Sequence, residues 1–156
     1  MVTCWYNVRM VNKKKPRTPC LECGKEPKRF GYKYCSNACQ SQYQFKEYVA
    51  RWKIGKEKGL LSSGVVSASI KRYLRIKFNN KCCMCGWQEV NKITTLVPLV
   101  ADHIDGNWRN NAEENLRLLC PNCDSLTATY AALNKGNGRK DRVTSKRTKE
   151  ARLLVK

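Results

Sequence analysis

Two stretches of the chain repeat apolar residues at intervals of three or four, the spacing of a helix with one buried face. The apolar positions are Phe45, Val49 and Trp52 in the first stretch and Ile70, Leu74 and Phe78 in the second. The pattern predicts one helix over 41–58 and another over 67–78. Their other faces carry lysine and arginine, which suit either solvent or phosphate groups.

Further along, the pattern changes to short runs rich in β-branched and apolar residues, bounded by turn residues. These runs predict a strand pair over 93–104, interrupted near Pro98, and an extended segment over 116–119. A single helical turn or loop is expected over 112–115. Asp124 or Ser125 is then expected to cap a helix that runs through Leu133. The predicted order of the unit is therefore strand, strand, helix.

Cysteines accompany this pattern as two sets of closely spaced pairs. The first set is Cys-x2-Cys, eleven residues and Cys-x3-Cys, and the second is two Cys-x2-Cys pairs separated by 34 residues. The expected zinc ligands are Cys20, Cys23, Cys35 and Cys39 for one ion and Cys82, Cys85, Cys120 and Cys123 for the other. Such four-thiolate sites are structural. Gly24 is expected to have a positive φ, Ser36 or Asn37 to cap a helix, and Cys4 and Cys83 to be ordinary thiols.

Charge narrows the choice of partner. The chain has 156 residues and a net charge of +19, which favours nucleic acid, with an anionic membrane surface a distant second. No window approaches the roughly 18 apolar residues of a membrane span, and the first residues lack the pattern of a signal peptide. We therefore expect an intracellular protein that does not bind membranes. Basic segments over 1–19 and 135–156 are expected to be solvated or to pair with phosphates, the second remaining disordered until bound.

Between the last two cysteine pairs lies a recognisable motif. The segments Asp102-His-Ile-Asp-Gly-Asn107, Asn110-Asn111 and Glu114-Asn-Leu-Arg-Leu-Leu-Cys-Pro-Asn-Cys123 resemble the HNH nuclease family. The resemblance covers about residues 82–133 and is closest to small HNH endonucleases of bacteriophages, many of which are homing enzymes. It implies a ββα-metal fold.

The motif also suggests which residues act as the general base and which bind the metal. His103 is the only histidine in the chain, and its ordinary pKa near neutrality suits a general base. By resemblance, Asp102 is a metal ligand and Asn115 holds the histidine loop. Because successive strand residues face opposite sides, a bulge or strand end is expected at this pair. Asp124 stands where the family usually has histidine, so Mg²⁺ or Mn²⁺ is the expected ion; the alternative is that Asp124 is only a helix cap.

Together these features predict a small α+β, zinc-stabilised protein. The predicted parts are a basic arm with an N-terminal zinc module (1–40), a basic helical linker (41–80), a ββα-metal HNH domain (81–134) and a basic tail (135–156). The predicted function is metal-dependent cleavage of double-stranded DNA, without a small-molecule cofactor and with a monomer as the working assumption. The alternatives are a catalytically weak or inactive zinc-finger protein on an HNH scaffold, and an RNA-binding or ribosome-associated zinc protein.

Overall fold

Helices flank one small sheet in the computed structural model, which describes residues 17–135. The predictions for the basic arm up to residue 16, for Cys4 and for the tail from residue 136 lie outside the described residues. Two units meet between Glu47 and Tyr48, inside the first helix. The finer division at residues 40, 80 and 134 stays a prediction.

Helix α1 (Asn37–Lys53) starts at the second cysteine pair of the N-terminal unit. The Ser36 hydroxyl accepts a hydrogen bond from the Cys39 amide (3.2 Å), which confirms Ser36 as a capping residue. The predicted end at residue 58 is wrong. Gly55, at φ +74°, closes the helix, because the amides of Gly55 and Lys56 turn back to carbonyls of its last turn.

Helix α2 (Ala68–Lys77) lies within one residue of its predicted bounds at each end. The Ser67 side chain accepts a hydrogen bond from the Ile70 amide (3.3 Å), and Phe78 is the C-cap. Ile70 and Leu74 are completely buried, as the apolar stripe predicts. Burying each of these side chains stabilises the fold by roughly 1.5–3 kcal/mol.

The sheet has two strands, β1 (Val100–His103) and β2 (Leu116–Leu119), paired antiparallel. The strand predicted before Pro98 is absent from the described fold. Instead, the Asn91 side chain accepts hydrogen bonds from the amides of Ile93 and Thr94 (both 2.9 Å), which folds this segment into a loop. Ile93 is 92% exposed, so burial of its side chain does not stabilise a strand at this position.

Helix α3 (Pro121–Ser125) follows β2 directly and is much shorter than predicted. Its N-cap is Cys120, not Asp124 or Ser125, and Pro121 occupies the first turn. The chain leaves the helix after Ser125, where the Thr127 hydroxyl donates to the Asp124 carbonyl (2.9 Å). A separate 3₁₀ turn follows at Ala131–Leu133. The long helix through Leu133 was therefore a wrong prediction.

Strand β2 is the most buried element of the second unit, with Leu116, Leu118 and Leu119 at most 2% exposed. Helix α2 packs against β2, and α3 packs against both strands. A 3₁₀ turn at Glu113–Asn115 leads into β2, within the stretch where a single helical turn was expected. Residues 17–135 thus form a small α+β structure with one antiparallel strand pair. None of the helices in the described part has the length and apolar character needed to cross a membrane.

Candidate active site and metal centres

The N-terminal unit brings together the four cysteines predicted to bind the first zinc ion. Their sulfurs lie within 4.8 Å of one another, with Cys23 and Cys39 at 3.5 and 3.4 Å from Cys35. A tetrahedral zinc with bonds of about 2.3 Å separates its sulfurs by about 3.8 Å. Small adjustments would bring this cluster to that spacing, so it could hold a zinc ion.

A second cluster joins the four predicted cysteines of the larger unit: Cys82, Cys85, Cys120 and Cys123. The sulfurs of Cys85 and Cys120 are 3.7 Å apart, already at the tetrahedral spacing. Cys83 is exposed and belongs to neither cluster. The described residues therefore contain two four-cysteine groups, each of a size that suits one zinc ion.

The same backbone turn carries the first cysteine pair of each cluster. The amide of Gly24 donates to the Cys20 carbonyl, and the amide of Gly86 donates to the Cys82 carbonyl, both at 2.9 Å. Both glycines have φ near +73°, a conformation that other residues adopt with difficulty. The expectation of a positive φ at Gly24 is confirmed, and the second unit repeats the arrangement.

The surroundings of the thiols favour a bound cation. Burial raises the pKa of Cys82, but amides of Cys120, Cys85 and Met84 outweigh it and lower that pKa to about 6. Hydrogen bonds with the thiols of Cys85 and Cys120 instead raise the pKa of Cys123 to about 12. A divalent ion among the sulfurs would stabilise all four thiolates together, which crowded thiols without an ion cannot achieve.

His103 is the last residue of β1, so the strand ends at the point expected from the Asp-His pair. Its ring Nε2 lies 3.0 Å from Oδ1 of Asn111, which is only 6% exposed. The Asn111 amide nitrogen donates to the carbonyls of Trp108 and Arg109 (both 3.1 Å), and this fixes Oδ1 towards the histidine. Because Oδ1 can only accept a hydrogen bond, this contact favours the tautomer with the proton on Nε2 and leaves Nδ1 without one.

Asn115 joins both ends of the loop that follows His103. Its Nδ2 donates to Asp105 Oδ1 (2.8 Å) and to the Asn110 carbonyl (2.7 Å), while its Oδ1 accepts from the Asp105 amide (3.0 Å). Burial raises the pKa of Asp105, but hydrogen bonds from Asn110, the Asn107 amide and Asn115 outweigh it, so the pKa is lowered. The loop is thus tied around an ionised carboxylate.

Asp102 lies on the other side of β1, opposite Arg117 in the register of the sheet. Its Oδ2 accepts a hydrogen bond from Arg117 Nε at 2.7 Å. Burial, and then the charge of Asp102, raise the pKa of the half-buried Asp124, whereas Arg117 lowers it. Asp124 therefore lies within electrostatic range of Asp102 and Arg117, as expected from the packing of α3 against both strands. Within residues 17–135 its carboxylate has no hydrogen-bond partner.

Sequence reasoning did not select Arg117 or assign Asn111 a contact with His103. No pattern in the sequence indicated Arg117, because its position opposite Asp102 depends on the exact register of the two strands. Asn111 shapes the loop through its amide nitrogen. Its oxygen has a second contact that no spacing rule would have indicated.

Comparison with known proteins identifies a phage relative. The H-N-H endonuclease F-TflIV of Escherichia phage T5 is 46% identical over 57 residues, which are 36% of this chain and 24% of the phage protein. The chain thus spans about a quarter of the length of that curated relative. No protein-family profile matches the chain, and no solved structure matches it. The match confirms the resemblance seen in the motif: over these 57 residues the chain is similar to a phage-encoded HNH endonuclease.

Proposed function

We propose that this protein is a metal-dependent DNA endonuclease in which His103 is the general base. The observation that carries the proposal is the contact between His103 Nε2 and a fixed Asn111 oxygen, which leaves Nδ1 free to take a proton from water. Such an arrangement suits a base that must hold one tautomer throughout the reaction. Asn115 supports the base indirectly by holding the loop that follows it.

The proposed ligands of the catalytic divalent ion are Asp102 and Asp124. Their oxygens suit Mg²⁺ or Mn²⁺, which take several further oxygens from water and substrate phosphate. The raised pKa of Asp124 beside Asp102 supports this assignment, since a cation there would relieve the repulsion. When bound, the ion would stabilise charge on the phosphate and on the leaving oxygen. Arg117 holds one oxygen of Asp102 and leaves the other available.

The sheet and α3 are proposed to form the ββα-metal unit of the family, with zinc in the two cysteine clusters. Double-stranded DNA is the proposed substrate, because a chain of net charge +19 attracts phosphate backbones. The relative is named as an endonuclease of a phage. From this relative, we propose that the protein is a phage endonuclease that acts inside the bacterial host, where it could serve in homing.

A zinc protein that binds nucleic acid without cutting it is the main rival. It accounts for the charge and for both cysteine clusters, but it gives no role to the histidine held by Asn111 or to the neighbouring charges of Asp102 and Asp124. An RNA-binding protein leaves the same features without a role. The nuclease proposal accounts for all of them.

The test is cleavage of plasmid DNA by wild type and by His103→Ala. Wild type should cut with Mg²⁺ or Mn²⁺ and stop when EDTA removes the free ions. The His103→Ala variant should lose about 10²–10⁴ in rate, the usual contribution of a general base. Zinc content and DNA affinity should change little, because His103 lies outside both cysteine clusters.

Two outcomes would count against the proposal in different ways. If wild type leaves DNA intact with every divalent ion tried while binding it tightly, the non-catalytic zinc protein is the better description. If His103→Ala cuts as fast as wild type, the assignment of the base is wrong, whatever the status of the metal site.

A further inference from the structure

The N-terminal unit carries six consecutive exposed residues between its two cysteine pairs, Lys28-Arg-Phe-Gly-Tyr-Lys33, here called the basic loop. Phe30 is 64% exposed and Tyr32 is 51% exposed. The next residue, Tyr34, turns inward, and its ring lies 5.5 Å from that of Tyr43. The loop therefore presents two largely exposed aromatic rings and three cations to solvent.

The three cations of the basic loop have no acidic partner in the described part of the chain. Two acids of this unit are already engaged, since Glu22 pairs with Lys46 and Glu26 pairs with Arg17 (3.6 Å). The side chains of Lys28, Arg29 and Lys33 form no ion pair or hydrogen bond within residues 17–135. Their charge is therefore available to an anionic partner.

A groove of about 360 Å³ runs beside the loop. Lys28, Arg29, Tyr32 and Lys33 line one part of it, and the amide side chains of Asn37 and Gln40 line another. No acidic residue lines the groove, and α1, which begins at its wall, has none in its first turn. Hydrogen-bond donors without carboxylates are what a phosphate backbone requires.

We propose that the basic loop is a DNA-backbone-binding surface, separate from the candidate active site. Lys28, Arg29 and Lys33 contact phosphates along the groove, and Phe30 and Tyr32 contact sugars or bases at its edge. The N-terminal unit then has a binding role in addition to a zinc-stabilised structure. This inference rests on the proposed nucleic-acid function but not on cleavage.

A structural explanation competes with this one. A zinc ion with four thiolates carries a net charge of −2, and cations near Cys35 could simply offset it. In that case their removal should weaken zinc retention and leave DNA affinity unchanged. The two explanations therefore predict different results: removal of the cations lowers DNA affinity if the loop binds phosphates, and lowers zinc retention if the cations only offset the charge of the zinc site.

The experiment compares two double variants of the full chain that remove the same charge from the same unit. Lys28→Gln/Lys33→Gln removes two cations of the basic loop, whereas Lys25→Gln/Lys46→Gln removes two cations outside the groove. Affinity for a DNA duplex is measured against salt without added divalent ions, so that cleavage plays no part. Zinc content of each protein is measured in parallel.

Loss of two phosphate contacts should lower the slope of log affinity against log salt by about 1.8, and affinity near 0.1 M salt by roughly one to two orders of magnitude. The Lys25→Gln/Lys46→Gln control should change the slope much less, with zinc content equal in all three proteins. Equal effects of both variants, or lost zinc with unchanged DNA affinity, would overturn the proposal.

A separate Phe30→Ser/Tyr32→Ser variant should weaken binding without changing the salt slope. Failure of wild type to cut DNA would affect only the nuclease proposal.

Discussion

Asp102 and His103 are neighbours in the chain but have different partners in the fold. Asp102 pairs with Arg117 across the sheet, and His103 contacts Asn111 in the loop beyond the strand. This separation follows from the alternation of side chains along a strand. In the proposed mechanism, Asp102 would belong to the charged group with Arg117, and His103 would transfer the proton.

Asp124 offers the sharpest test at the scale of a single residue. It is not the helix cap, because Cys120 has that position, so Asp124→Ala should leave stability unchanged or slightly raised. If Asp124 holds the catalytic ion, the variant should cut DNA about 10²–10³ more slowly, with partial recovery at high Mn²⁺. Plasmid cleavage over a range of metal concentrations measures both effects.

Ser125→Ala is the matched control, since Ser125 is the exposed next residue and its hydroxyl only caps a local carbonyl. Asp124→His should retain activity and extend it to borderline ions such as Ni²⁺, as imidazole prefers them. An Asp124→Ala enzyme as active as the Ser125→Ala enzyme would remove Asp124 from the metal site.

At the scale of elements, Glu113 joins the 3₁₀ turn before β2 to both long helices. It accepts from the Tyr73 hydroxyl and pairs with Lys77 (2.8 Å) of α2 and with Lys53 (3.1 Å) of α1. Hydrogen bonds from Lys77 and Tyr73 are the main reasons why the pKa of Glu113 falls to about 2. The turn that leads to Asn115 is held in place by these contacts.

Glu113→Gln should therefore lower the free energy of unfolding by about 1–3 kcal/mol at pH 7, allowing for the partial exposure of the carboxylate. Because the folded state lowers this pKa from 4.5, the stabilisation is complete above pH 4.5 and is lost as pH falls towards 2. Denaturant unfolding at several pH values should show the difference from wild type shrinking over that range. The exposed neighbour Glu114→Gln should show neither effect, and equal effects of both would argue against this contact network.

Elements with local signals were predicted well, and elements that depend on distant partners were not. Helix α2 has a serine cap and an apolar stripe, and its prediction is confirmed. Helix α3 begins at a cysteine that belongs to a four-cysteine cluster, and no helix-propensity scale takes such a cluster into account. The loop around Asn91 depends on one side chain that binds two amides and on Thr95 at φ +56°. At the site, the motif selected Asp102, His103 and Asn115, whereas Arg117 needed the strand register.

The whole molecule combines two cysteine clusters, one in each unit, with a large positive charge. Each cluster joins cysteine pairs that are distant in the sequence, so metal binding and folding should be linked in each unit. We expect two zinc ions per chain. The clusters lie in separate units, so loss of one ion should leave the other in place.

Cys85→Ser should reduce the zinc content from about two ions per chain to about one and should abolish cleavage, because Cys85 belongs to the cluster beside β2. Cys83→Ser removes an exposed thiol two residues away and should retain both ions and full activity. Elemental analysis and plasmid cleavage check these outcomes. Two zinc ions in the Cys85→Ser protein would rule out the second four-cysteine site.

Strand β2 consists of four residues, and it joins Asn115, which holds the histidine loop, directly to Cys120 of the second cluster. Inhibition by a chelator should therefore depend on how long the chelator is present. Brief exposure removes a weakly held divalent ion, and fresh Mg²⁺ restores cutting at once. Longer exposure also extracts zinc, after which the strand loses its anchor and Mg²⁺ alone no longer restores the enzyme. Reversibility over time thus distinguishes the two kinds of metal in one preparation.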